Sequence, residues 1–153
     1  MVMTVRGSML GWGLPCLVAA IAVVLGACAS LEPPAALTVR AGLGCVDDSA
    51  RCRTKRRDAL AALLADKTRS WVRQPADASA YASGVRLFAF KKRKQELNCS
   101  ELSIAVKEAR AARPILRAAA AQLTPAQIAR GAMLGDEVGK ELVQESRRRK
   151  CKA

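Results

Sequence analysis

Beyond residue 46 the sequence predicts an all-α fold, a small helical bundle or paired helical hairpins of about four helices. Three observations carry that reading. Apolar residues recur at three- and four-residue spacing, capping residues stand before most such stretches, and no stretch alternates with the period of two that a half-buried strand requires.

The first helix is expected over about 48–72. Asp47, Asp48 and Ser49 are its capping candidates, Leu60, Leu63, Leu64 and Trp71 share its apolar face, and Pro75 lies beyond its end. Asp77 can cap a second helix over about 78–97, whose stripe runs Tyr81, Val85, Phe88, widened by Leu87 and Phe90. Asn98 with Glu101 three residues later forms a capping-box pattern for a third helix. Its face is Leu102, Val106, Ala109, Leu116, Ala120 and Leu123, and Pro114 is expected to kink or divide it. Thr124-Pro125-Ala126-Gln127 opens the fourth helix, over 125 to about 149, with a cap, a proline at the first helical position and a glutamine at the third.

In that last helix Gly131, Gly135 and Gly139 recur every four residues. Charged neighbours rule out a membrane span, so the glycines are expected to let another helix pack close. Aromatic residues are 3% of the chain, leaving Trp71, Tyr81, Phe88 and Phe90 as the large side chains after residue 46. The core must be mostly alanine and leucine, which bury little area each, and cross-links would add to it.

The first thirty residues follow a different design. Arg6 precedes an apolar run from Met9 to Leu25, broken by glycines and Pro15, and small residues then lead to Cys28. A short apolar helix with small side chains after it is the physical plan of a cleaved export signal. Leu25-Gly26-Ala27-Cys28 resembles the lipobox of bacterial lipoproteins. The resemblance covers the signal alone and implies that Cys28 receives a diacylglycerol and becomes the first residue after cleavage. Two other readings stand beside it: an ordinary cut at Ala27-Cys28-Ala29, and an uncleaved anchor. Ala29 after the cysteine, rather than Asp, implies the periplasmic face of the outer membrane.

Residues 1–27 are thus expected to be a removed signal, 28–46 a lipidated tether stiffened by Pro33 and Pro34, and 47–153 a helical disulfide-containing domain. Fully extended, residues 29–44 of that tether would reach roughly 50 Å. Export places the chain where thiols pair. Cys45, Cys52, Cys99 and Cys151 then remain, and four cysteines allow three connectivities. A zinc site is the alternative, but the chain has no histidine and no close C-x-x-C pair.

Four helices alternating in direction would bring the start of the first, the end of the second, the start of the third and the end of the fourth to one pole. All four cysteines would lie there, with Cys99–Cys151 and Cys45–Cys52 the preferred pairs. The same pole would gather Arg51, Arg53, Lys55, Arg56 and Arg57, then Lys91, Lys92, Arg93 and Lys94, then Arg147, Arg148, Arg149, Lys150 and Lys152. These are over half of the 25 basic residues that follow residue 27, against 13 acidic ones. Such a pole suits an anionic surface, although helix dipoles alone explain cations at the ends of helices.

No catalytic residue, cofactor or metal is assigned. There is no nucleophile elbow, phosphate loop or calcium loop, and Glu96 with Glu101 reads as a solvent-facing residue and a cap rather than an acid–base pair. Nucleic acid fits the charge but not the export, and no aromatic platform accompanies the basic runs. The expected function is that of a membrane-anchored envelope lipoprotein serving as a structural or protein-interaction module. The alternative is a binding module for an anionic envelope component such as lipid phosphate or a cell-wall polymer.

Overall fold

The computed structural model describes residues 35–152. The expectations for Leu25, Gly26, Ala27 and Cys28 lie outside the described residues. Six helices are seen: α1 (Ala35–Leu43), α2 (Ala50–Ala65), α3 (Ala78–Ser83), α4 (Val85–Arg93), α5 (Cys99–Ala118) and α6 (Pro125–Arg148), with a single 3-10 turn at Ser70–Arg73. There is no strand among the described residues, and the fold is all-α.

The capping signals act as read. Ser49 accepts from the Cys52 N–H and Asp77 from the Ala80 N–H, while Asn98 with Glu101 and Thr124 with Gln127 form complete capping boxes. The count of helices differs from the expected four for two local reasons. Residues 35–43, expected within the flexible tether, form α1, which packs Val39 and Leu43 against the core and buries Gly42 on α2. A Cβ on Gly42 would stand 2.2 Å from Ala59 Cβ, so the two helices approach closely at that residue.

The second reason is Gly84. Its φ of 74° ends α3 and opens α4, splitting the expected 78–97 helix. The break also shifts the register of the apolar stripe. Phe88 is 42% exposed, whereas Leu87 and Phe90 are fully buried.

The first predicted helix also ends earlier, at Ala65. The Asp66 carboxylate accepts from the backbone N–H groups of Thr68 (2.8 Å) and Ser70 (3.0 Å), and from both their hydroxyls, a local turn that competes with continuing the helix. Trp71 therefore sits on the 3-10 turn beyond it. Pro114 does not divide α5. It lies on the exposed side, where the carbonyl that loses its partner can meet water.

Helix directions depart from strict alternation. The start of α2 lies beside the start of α6, through Arg130 to Asp48 (2.7 Å) and Gln127 to the Val46 carbonyl (3.0 Å). Its far end meets the end of α4, where Arg93 donates to the carbonyls of Leu64 (2.8 Å) and Asp66 (2.9 Å). Helix α4 runs along α6, with Lys91 and Lys94 both reaching Glu141. Helix α5 opposes them, placing Leu116 near Gly131 and Ala109 near Gly135, and so does the short α1, whose Gly42 meets Lys55 and Ala59 beyond the Cys45–Cys52 link. So α2, α4 and α6 share one direction.

The cause is the connection 66–77. At about 1.5 Å per residue α2 is about 24 Å long, and a dozen residues of partly extended chain can cover that distance on the way back. Cys45–Cys52 and Cys99–Cys151 are the two disulfides, as preferred, but they occupy opposite ends of the bundle. From the loop each closes, they constrain the unfolded chain by about 2 and about 4 kcal/mol respectively.

The core joins Leu87, Phe90, Leu97, Leu102, Leu116, Val138 and Leu142 to a seam of alanines at 105, 109 and 112. Small residues on both sides bring α5 and α6 together. A Cβ on Gly135 would lie 2.9 Å from both the Ala109 carbonyl oxygen and Ala112 Cβ, while one on Gly139 would meet Ala109 Cβ at an ordinary 3.6 Å. Gly135→Ala is therefore expected to cost about 1–3 kcal/mol through overpacking. Gly139→Ala is expected to be neutral or to stabilise by up to about 1 kcal/mol through helix propensity. Urea unfolding of the two variants separates these outcomes, and equal losses would contradict the packing described.

Candidate functional site

The fourteen basic residues expected at one pole divide between two ends. Arg51, Arg53, Lys55, Arg56 and Arg57 open α2 and lie with the start of α6. Lys91–Lys94 and Arg147–Lys152 lie at the other end, with Cys99–Cys151. The single pole fails because the 66–77 crossover makes α2 parallel to α4.

Several of these cations already have partners. Arg56 donates to the carbonyls of Cys45 (3.1 Å) and Asp47 (2.5 Å), and Arg53 to that of Asp48 (2.6 Å). Cations at the start of α2, which oppose its dipole, thereby tie down the loop that enters it. At the other end Lys91 binds Glu137 and Glu141, which raises its pKa to about 12. Lys94 binds Glu141, Arg148 binds Glu145, and Arg149 donates to the Leu97 carbonyl. Arg93 is buried between Glu96 and the last carbonyls of α2. Among the described residues, Arg51, Lys55, Lys92, Arg147, Lys150 and Lys152 take part in no ion pair.

The carboxylates Glu96 and Glu101 have separate tasks. Glu96 pairs with Arg93, whereas Glu101 closes the α5 capping box and accepts from Arg69 at 3.3 Å. Arg69 holds a left-handed φ of 52° at the corner before the 3-10 turn.

The most buried charge, Arg86, and its partner Glu108 were not singled out by sequence reasoning. Arg86, 3% exposed, binds both carboxylate oxygens of Glu108 and donates to the carbonyl of Gln74 at 2.6 Å. Its guanidinium carbon lies 5.7 Å from the Trp71 ring centre and 5.6 Å from that of Phe90. Burial raises the Glu108 pKa, and the Arg86 hydrogen bonds and charge pull it back. Tyr81 is raised to about 12, first by burial and then by the Glu108 charge. A signal was present: Arg86 stands one turn before Phe90 in an apolar stretch, and Glu108 one turn before Ala112.

Two surface grooves remain. One, of about 430 Å³, lies where α3 and α4 meet α6 and is lined by Phe88, Met133 and Leu134 with Arg56, Arg130 and Glu137 at its edges. The other, of about 330 Å³, follows the outer α5–α6 seam and is lined by Arg110, Gly135, Asp136, Gly139, Lys140 and Val143. No family model, curated protein or solved structure matches the chain.

Arg86→Met should lose about 3–5 kcal/mol of stability, because it leaves a carboxylate buried without its partner. Glu108→Gln with Arg86→Met should recover part of that loss, and a double-mutant cycle by chemical denaturation checks the coupling. Additive losses would mean that the pair does not act as a unit.

The chain has no histidine, so nothing of that kind titrates between about pH 5 and 8. Asp48, Asp66, Glu141 and Glu145 have lowered pKa values, from hydrogen bonds with Arg130, Thr68, Lys94 and Arg148 respectively. Their contributions are complete above the unfolded values of 3.8 and 4.5 and fade as pH falls through the lower folded values. Glu108 runs the other way: its contribution is greatest below 4.5 and declines as pH rises through its raised folded value. Thermal melts should therefore show Tm falling as pH drops below about 4, where the lowered carboxylates take up protons. A Tm that stays level or rises from about pH 4 to about pH 2 would contradict this assignment.

Proposed function

We propose that the chain is the precursor of a bacterial lipoprotein cut before Cys28, whose helical domain serves at the cell envelope as a structural or protein-interaction module. The observation that carries this is the cysteine pairing. All four cysteines of the described residues are joined, Cys45 to Cys52 and Cys99 to Cys151, an arrangement that belongs to oxidising compartments.

Docking of α1 adds a constraint. With Ala35–Leu43 held against α2, residues 28–34 are all that separate an acylated Cys28 from the folded domain, a reach of about 25 Å rather than 50 Å. The module would then work close to its membrane, for which the periplasmic face of the outer membrane is the proposed site. Partially exposed Phe88 and exposed Met133 beside the α3–α4–α6 groove are the apolar contacts a protein partner would use.

A second reading, a binding module for an anionic envelope component, is favoured by the number of cations that have no carboxylate partner. Mass spectrometry of the N-terminal peptide tests the first reading. The expected peptide begins at Cys28 and carries the mass of a diacylglycerol thioether, with a further acyl group on the amine where that step operates. An unmodified chain starting at Ser30 would overturn it.

A further inference from the structure

The seam of α5 and α6 gathers cations from two helices around one groove. Arg110 and Lys140 face each other across the groove there, and Asp136 is the one acidic residue among those that line it. Arg113 already binds Asp136, whose pKa is lowered first by that hydrogen bond and further by the charges of Arg113, Lys140 and Arg117. Four cations thus surround a single carboxylate.

The row extends toward the Cys99–Cys151 end of the bundle. Lys107 lies one turn from Arg110 on α5, and Arg147 one turn from the groove residue Val143 on α6; both are exposed. Among the described residues, Lys107, Arg110, Arg117, Lys140 and Arg147 form no ion pair. Close packing at Gly135 creates the juxtaposition: without a Cβ there, α6 approaches α5 closely enough for cations from both helices to overlie one seam.

We propose that this seam, lined by Arg110 and Lys140 and continued on α5 to Arg117, binds a linear phosphate-bearing polymer lying along the helices. The inference rests on the second reading above, that the domain binds an anionic envelope component, and it moves the site from a helix pole to a flank. Length decides for a polymer over a compact anion. From Lys107 to Arg117 the row covers about 15 Å of α5, several times the width of one phosphate. Repeated phosphates at intervals of several ångströms could each meet a cation, releasing one counterion apiece.

The test uses the full chain in neutral detergent micelles and end-labelled inorganic polyphosphate, with binding read by fluorescence anisotropy across a salt series. Wild type should bind at low salt. The variant Arg110→Glu/Arg117→Glu/Lys140→Glu should lose roughly 30-fold or more in affinity and reduce the salt slope by about 3. A control with the same charge change at the end of the bundle, Lys92→Glu/Lys150→Glu/Lys152→Glu, should lose less than about 5-fold, as expected for screened, distant charges. Circular dichroism confirms that both variants fold.

Equal losses in the two variants would overturn the groove while leaving an unlocalised affinity for anions. Absence of wild-type binding would overturn both the groove and the reading it rests on. Two competitors distinguish the source of the phosphate. Displacement by inorganic phosphate at equal phosphate concentration would mean a compact anion site, and displacement by micelles doped with phosphatidylglycerol would mean a lipid surface; either result overturns the polymer.

Discussion

The arrangement of the domain depends on a buried ion pair. Arg86 spends its guanidinium on Glu108 of α5 and on the Gln74 carbonyl of the crossover, beside the packed rings of Trp71 and Phe90. One side chain thereby joins three parts of the chain that are distant in sequence. A pair so deeply placed is weak evidence of net stabilisation, since desolvation opposes the attraction. Its physical effect is selective: a crossover packed elsewhere would leave both charges without partners. Arg93 repeats the device one helix end away, holding the last carbonyls of α2. Together the two arginines fasten segment 66–77 in the path that makes α2 parallel to α4.

That path explains which features were legible in the sequence. Local signals were. Caps at Ser49, Asp77, Asn98 and Thr124 involve residues within three positions of one another, and each forms as its pattern implies. The two disulfide partners also followed, Cys99–Cys151 from the near-equal lengths of α5 and α6 about a tight turn, and Cys45–Cys52 by what then remained. Helix direction was not legible. It turns on whether a dozen residues after Asp66 fold back, and the Asp66 turn that starts them on that course looks, in sequence, like a few polar residues inside a helix. The grouping of fourteen cations at one pole inherited that error. Phe88 was misassigned for a smaller reason, the left-handed Gly84, which resets the phase of a stripe that would otherwise be continuous.

The candidate surfaces differ in how much of them a linear reading can see. Runs such as Arg147–Lys150 stand out in the sequence, yet Arg148 and Arg149 are engaged with Glu145 and the Leu97 carbonyl. Arg110, Arg117 and Lys140 are scattered through two helices and attract no notice until the Gly135 contact brings those helices together. Burial behaves in the same way. Glu108 and Arg86 each interrupt an apolar face, a pattern that signals a buried pair only when both interruptions are considered at once.

Parallel α2, α4 and α6 also give the domain an electrical axis. Each helix carries roughly half a positive charge at its start and half a negative charge at its end, and α1 and α5 point the other way. Three aligned dipoles against two leave a remainder, in contrast to a four-helix bundle of strictly alternating direction. The cations that open α2 add to the positive end of that axis, while those that close α4 and α6 offset the negative end. The molecule therefore feels a turning force near a charged surface in addition to a net attraction. Its approach to any charged surface begins with a preferred orientation before any side chain makes contact.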